Sequence, residues 1–283
     1  MNIIESIILG IIQGITEFLP VSSTGHLTLA GKLMGLISDA HPERWTSFIA
    51  VIQLGTLAAV LIYFREDIQN IVMSFTKESL FERKKYREQS LNSRLGWLII
   101  IGTIPVVVIG LLFKHQIEGV FTKNLYVIAA SLIALALLLA IAEKVATHEK
   151  GIAEVGWLDA LVVGIAQAFA LIPGSSRSGT TITGGLFMGM NREAAARFSF
   201  LLSIPAVFAS GLLELYQAFR MGIDSAGAVN YAVATIVSGI SGYFAIDFLL
   251  NYLKKNTTFL FVYYRIALGV LILGLLFTDR IVP

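Results

Sequence analysis

The sequence predicts an all-α polytopic membrane protein: an inverted-topology repeat with two re-entrant helical hairpins plus six full transmembrane helices. Three observations carry this. The 283 residues are 56% hydrophobic and only 14% charged, with mean hydropathy +0.77, whereas a soluble domain carries about a quarter charged residues. Six apolar runs, near 47–64, 95–113, 125–142, 198–218, 230–250 and 261–277, approach the ~20 residues that cross a bilayer as a helix. Two further apolar regions, 3–36 and 158–190, are broken in the middle by proline, glycine and serine. The alternating pattern of a transmembrane barrel is absent.

The first region opens with MNIIESIILGIIQG, which lacks a basic leader and a small-residue cleavage site, so it reads as a membrane hairpin rather than a signal peptide. Its break is PVSSTGH (20–26), and the break of the second region is PGSSRSGTT (173–181). Broken polar backbone at membrane depth is tolerated only inside protein or beside a water-filled cavity. Each region therefore enters and leaves on one side.

The two breaks resemble each other. Pro20-Val21-Ser22-Ser23 aligns with Pro173-Gly174-Ser175-Ser176, and, after a one-residue slip, Gly10 and Gln13 match Gly164 and Gln167. This divides the single membrane domain into a first repeat, 1–150, and a second, 151–283, each a hairpin plus three spans. Three spans is an odd number, so the copies run in opposite orientations, with sites expected where broken helices meet. Lysine and arginine divide 13 to 5 between the two sets of loops. The positive-inside rule makes the richer set, which includes 65–94, cytoplasmic. That loop, with its FERKKYRE stretch, reads as an ordinary solvated segment of mixed charge. Gly10-x-x-x-Gly14 and Gly185-x-x-x-Gly189 read as close helix packing, with dimerisation as the alternative.

The absence of cysteine excludes disulfides, thiolate metal sites and a cysteine nucleophile. Nothing in the chain points to nucleic acid. The chemistry sits in the two breaks. Gln13 and Glu17 share one helical face, and an intramembrane carboxylate usually marks function. Glu17 suits a divalent cation or a base. Ser22, Ser23 and Thr24 offer hydroxyls at a helix start, where anions bind, and His26 suits acid–base work. Arg177 carries a permanent charge and a donor fork matched to phosphate. Ser175, Ser176, Ser178, Thr180 and Thr181 add hydroxyls, and Gly174 and Gly179 would let backbone approach a ligand. If the repeat brings the breaks together, the composite site suits an anionic phosphate ester or diphosphate with a metal ion, on a substrate that is a lipid. A bare ion pair between Arg177 and Glu17 is the competing, purely structural reading.

QGITEFLPVSSTGH and PGSSRSGTT resemble the two signature stretches of the undecaprenyl-diphosphatase, or bacitracin-resistance, family, and the resemblance covers nearly the whole chain. It implies hydrolysis of undecaprenyl diphosphate to undecaprenyl phosphate, recycling a lipid carrier of cell-wall synthesis. It also implies a bacterial plasma-membrane location, Mg2+ or Ca2+, and an active site open to the extracytoplasmic side. The family's paired acidic motif falls on Gln13 and Glu17, so only Glu17 brings charge here. Ser22, Ser23, Thr24 and His26 match its serine-rich stretch, and Ser176, Arg177, Ser178 and Thr181 its arginine stretch. Relatives that carry a glutamate after the Phe at position 48 differ from this chain, which has Ile49 there. Ser23 is the first choice of nucleophile, activated by Glu17 or His26, ahead of His26 itself, direct attack by water, and Ser176. Phosphatases of the phosphatidic-acid type pair an arginine motif with a second histidine, and none follows Arg177 here. The alternative class is a transporter or flippase, since inverted repeats with discontinuous helices are typical of secondary transporters.

Overall fold

The computed structural model describes residues 1–38, 42–113, 123–220, 222 and 225–281. Among them there are eleven α-helices and no strand: α1 Ile3–Phe18, α2 Ser23–Leu33, α3 Pro42–Tyr63, α4 Arg65–Ser74, α5 Leu91–Leu112, α6 Leu125–Val145, α7 Trp157–Phe169, α8 Arg177–Phe187, α9 Arg192–Arg220, α10 Ser225–Leu253 and α11 Phe259–Phe277. Six of them, α3, α5, α6, α9, α10 and α11, are long and apolar enough to cross a membrane. They coincide with the six apolar runs. The pairs α1–α2 and α7–α8 coincide with the two broken regions.

The two short-helix pairs are near-copies, and their geometry sets the register. Asn2 and Gly156 begin the pairs with matching caps, in which Glu5 and Asp159 accept from the backbone N–H of Asn2 and Gly156 at 2.7 and 2.8 Å. Ser22 (φ 76°) and Ser176 (φ 68°) both sit in the left-handed region. Each caps the following helix by accepting from Gly25 N and Gly179 N at 3.1 Å. Gly35 and Gly189 close the pairs at φ 67° and 82°. Every matched pair differs by 154 in number, so the hairpins align without a gap. This corrects the alignment through the prolines: Ser22 corresponds to Ser176, Ser23 to Arg177, and Pro20 to Gly174. The proline displacement conceals the register because the turn conformation belongs to the serine, which combines a positive φ with the cap of the following helix.

Packing follows the small residues. A Cβ on Gly10 would lie 2.6 Å from Ala234 O and one on Gly14 2.5 Å from Ser238 O, so α1 lies along α10. A Cβ on Gly164 would lie 2.7 Å from Gly102 Cα, so α7 lies along α5 in the same way. Each hairpin thus leans on the second long helix of the other half. Gly185 packs against Ala195 as expected, whereas Gly189 serves the turn instead.

The 65–94 segment departs from the solvated-loop reading. α3 breaks at Phe64 (φ −99°) and restarts as α4, whose first turn carries Glu66 and Asp67, as the helix dipole favours. Ile71 is buried, and Phe75 closes over Gly96 and the Trp97 ring, so the segment is held down by apolar contacts.

Candidate active site

The two breaks meet. Ser178 Oγ donates to Leu19 O at 3.0 Å, and Arg177 Nη2 donates to Glu17 Oε1 at 2.8 Å. Glu17 is the centre of the junction. Its Oε2 accepts from Ser23 Oγ at 2.8 Å and from Gln13 Nε2 at 3.0 Å. The Gln13 bond is the i,i+4 pairing that helical spacing anticipates. Glu17 is 5% exposed and the Arg177 side chain 14%. One carboxylate therefore holds a hydroxyl, an amide and a guanidinium at once. Arg177 Nε and Gln13 Oε1 are buried without partners.

Other expected site residues fall elsewhere in the junction. His26 lies one turn into α2. Its Nδ1 meets Ser22 O at 2.7 Å, its Nε2 meets Tyr264 Oη at 2.6 Å, and its ring stacks on Tyr264. It makes no hydrogen bond to Ser23 or Glu17, so the hydroxyl is held by Glu17. Thr24 is partly exposed. Most hydroxyls of the second break have internal partners. Ser176 caps α8, Ser178 reaches Leu19, Thr180 donates to Arg177 O at 3.0 Å, and Thr181 lies 2.6 Å from Ser199 Oγ. Ser175 Oγ is buried and unpartnered, while its carbonyl accepts from Arg265 Nη2 at 2.9 Å. The glycines expected to admit a ligand admit protein instead. A Cβ on Gly174 would lie 2.5 Å from Ile128 O, and one on Gly179 would lie 2.6 Å from Arg265 Nη1.

A cavity of about 360 Å³ opens at the Glu17–Arg177 pair, within the size range of small-molecule sites. Its polar lining includes Gln53, Gln167, Ser210 and Glu214, and its apolar wall includes Val107, Leu111, Leu171 and Leu213. Val107, Leu111 and Leu213 are themselves exposed at the outer surface of the bundle, so the wall runs out toward lipid. Arg177 Nη1 also donates to Ser199 O at 3.4 Å, and along α9 the cavity is lined from Ala206 to Glu214, about 12 Å at ~1.5 Å per residue. At the far end Ser47 Oγ donates to Glu214 Oε2 at 2.5 Å, and Lys123 Nζ donates to Thr46 Oγ1 at 2.6 Å.

Sequence reasoning missed Gln53, Glu214, Tyr264 and Arg265 as neighbours of the site. Arg265 is fully buried and, as a charge inside a span, carried a visible signal. Gln53 and Glu214 lie inside the apolar runs 47–64 and 198–218 and, as polar groups at membrane depth, carried the signal that singled out Gln13 and Glu17; Tyr264 carries none. Among the described residues no group of three His, Asp or Glu side chains stands ready to hold a metal. A divalent ion fits only as a shared guest, on Glu17, the unpartnered Gln13 Oε1 and a ligand's own oxygens, since Mg2+ is commonly bound through one or two carboxylates plus phosphate.

Fold and site together define a polytopic membrane protein with a charge-lined cavity that is polar at its head and apolar toward the bilayer. Residues 6–271 match the family model described as bacitracin resistance protein BacA. A relative from Syntrophobacter fumaroxidans, named undecaprenyl-diphosphatase, is 56% identical over all of both chains. Relatives of the same name from Chloroherpeton thalassium and Chlorobaculum tepidum are 53% and 50% identical, covering 99% and 100% of each chain. The chain belongs to the bacitracin resistance protein BacA family.

Proposed function

We propose that the protein is an undecaprenyl-diphosphate phosphatase, releasing inorganic phosphate and undecaprenyl phosphate, and thereby confers bacitracin resistance. The observation that carries this is Glu17, which accepts from Ser23 Oγ and Arg177 Nη2 at 2.8 Å each: a base, a nucleophile and a phosphate-binding cation in contact. The apolar wall suits the isoprenoid tail, and the Glu17–Arg177 end suits the diphosphate.

Phosphoryl transfer is mainly positioning and charge stabilisation. Arg177, through Nε and the guanidinium edge, binds the terminal phosphate. Glu17 takes the proton of Ser23 Oγ as this oxygen attacks the terminal phosphorus. The bond from that phosphorus to the bridging oxygen breaks, and undecaprenyl phosphate leaves with the electron pair. Water then cleaves the seryl phosphate, and the Ser23 hydroxyl is restored. Ser22, Gly174, Ser175 and Ser176 form the two turns, and Thr24, Ser178 and Thr181 the helix starts, that hold Ser23 and Arg177 in place, and Gln13 steadies Glu17. Mg2+ or Ca2+, on Glu17 and Gln13, would neutralise diphosphate charge.

The gapless match of the two hairpins supports an inverted repeat of 1–150 and 151–283. In a bacterial plasma membrane, the location expected of the family, the positive-inside count supports an orientation in which the cavity opens at the C-terminal ends of α5 and α9 toward the extracytoplasmic side. The same repeat favours a second activity, movement of the product lipid across the bilayer. The proposal is tested with substrate labelled on the terminal phosphate and acid-quenched during turnover. Label is expected on the wild-type chain and absent from Ser23→Ala. Ser23→Ala releasing phosphate at the wild-type rate would refute the nucleophile.

A further inference from the structure

Gln167 is 1% exposed, yet neither its Nε2 nor its Oε1 has a hydrogen-bond partner. Its side chain lines the cavity that holds Glu17 and Arg177. The repeat explains how it came to be unpartnered. Gln167 corresponds to Gln13, whose amide donates to Glu17 four residues on, at 3.0 Å. The residue four after Gln167 is Leu171, so the second hairpin keeps the amide and lacks the acid that would receive it. A buried amide without partners is costly to keep. Such a group persists where something else supplies the bond.

We propose that Gln167 is a substrate-binding residue whose side-chain N–H donates to a phosphate oxygen of the diphosphate. This rests on the phosphatase reading of the same cavity. Gln167 on α7 and Arg177 at the start of α8 flank one turn, so a single hairpin brings a neutral and a charged donor to one ligand. Glu17 and Arg177 already cancel each other's charge. A neutral amide adds attraction for phosphate without a further ion, and hydrogen bonds to charged oxygens are the strong ones.

The test compares Gln167→Leu, the near-isosteric Gln167→Met and Gln167→Glu. Steady-state phosphate release is measured from undecaprenyl diphosphate, and the melting shift is measured on adding methylenediphosphonate to the purified protein. Loss of a donor to a charged acceptor is worth about 10- to 100-fold. Leu and Met are expected to raise KM by that factor, to shrink the probe's melting shift, and to melt without probe no lower than wild type. Glu, which brings an acceptor against phosphate, is expected to bind more weakly than either. A wild-type KM and a wild-type probe shift in Leu or Met would overturn the inference. Lower melting without probe, with KM unchanged, would overturn it too and make Gln167 structural. Wild-type protein that neither releases phosphate nor responds to the probe would overturn the phosphatase reading itself.

Discussion

The Glu17–Arg177 pair makes a prediction that depends on geometry alone. Breaking a largely buried ion pair by removing one partner costs about 3–5 kcal/mol, because the other charge stays buried and uncompensated. Glu17→Gln leaves Arg177 with the weak 3.4 Å bond to Ser199 O. Arg177→Gln leaves Glu17 with Ser23 and Gln13, which soften its loss, so it should cost less than Glu17→Gln. For a chain of this size ~1 kcal/mol corresponds to about 2 °C in melting temperature. The single variants should therefore melt up to about 6–10 °C lower in detergent, with Glu17→Gln the worse. The double variant removes both charges and should recover part of the loss, with a coupling of about 1–3 kcal/mol. Thermal unfolding of the four proteins without substrate measures the cycle. Strictly additive losses would refute the pairing. Partial recovery of stability with no recovery of phosphate release is the expected mark of a pair that also serves chemistry.

Other outcomes follow from the packing and the turns. Gly14→Val should separate α1 from α10 and cost more than about 1–3 kcal/mol, as overpacking does. Gly274→Ala, with nothing within 4 Å of the new Cβ, should be neutral or gain up to ~1 kcal/mol in helix propensity; equal melting of the two variants would contradict the packing. Gly35→Ala and Gly189→Ala, both at positive φ, should each lower stability by about 1 kcal/mol, read by melting. Tyr264→Phe removes the 2.6 Å bond to His26 but keeps the ring stack, so phosphate release should fall severalfold without being abolished; complete loss would make the His26–Tyr264 pair part of the reaction.

The spans and the two hairpins were legible because lipid demands long apolar helices and forbids unpaired backbone except where protein covers it. Glu17, Ser23 and Arg177 were legible as a group for the same reason, since each is costly at depth. The register of the repeat was not, because proline is conspicuous in sequence while the turn conformation belongs to Ser22 and Ser176. The five hydroxyls after Pro173 suggested a ligand cradle, yet four of them hold the turn and helix together. Charge counting could not show that Phe75 and Ile71 would fasten the 65–94 segment to the bundle. Gln167 matched Gln13 in sequence, but only the fold shows that its amide has nothing to bond.

The most direct test of the central claim is phosphate release from undecaprenyl diphosphate by the purified protein, with Mg2+, with Ca2+ and with EDTA, beside Arg177→Ala. Metal-dependent release that is lost in Arg177→Ala is the predicted result. Release at the wild-type rate by Arg177→Ala, or none from folded wild-type protein with either metal, would contradict it.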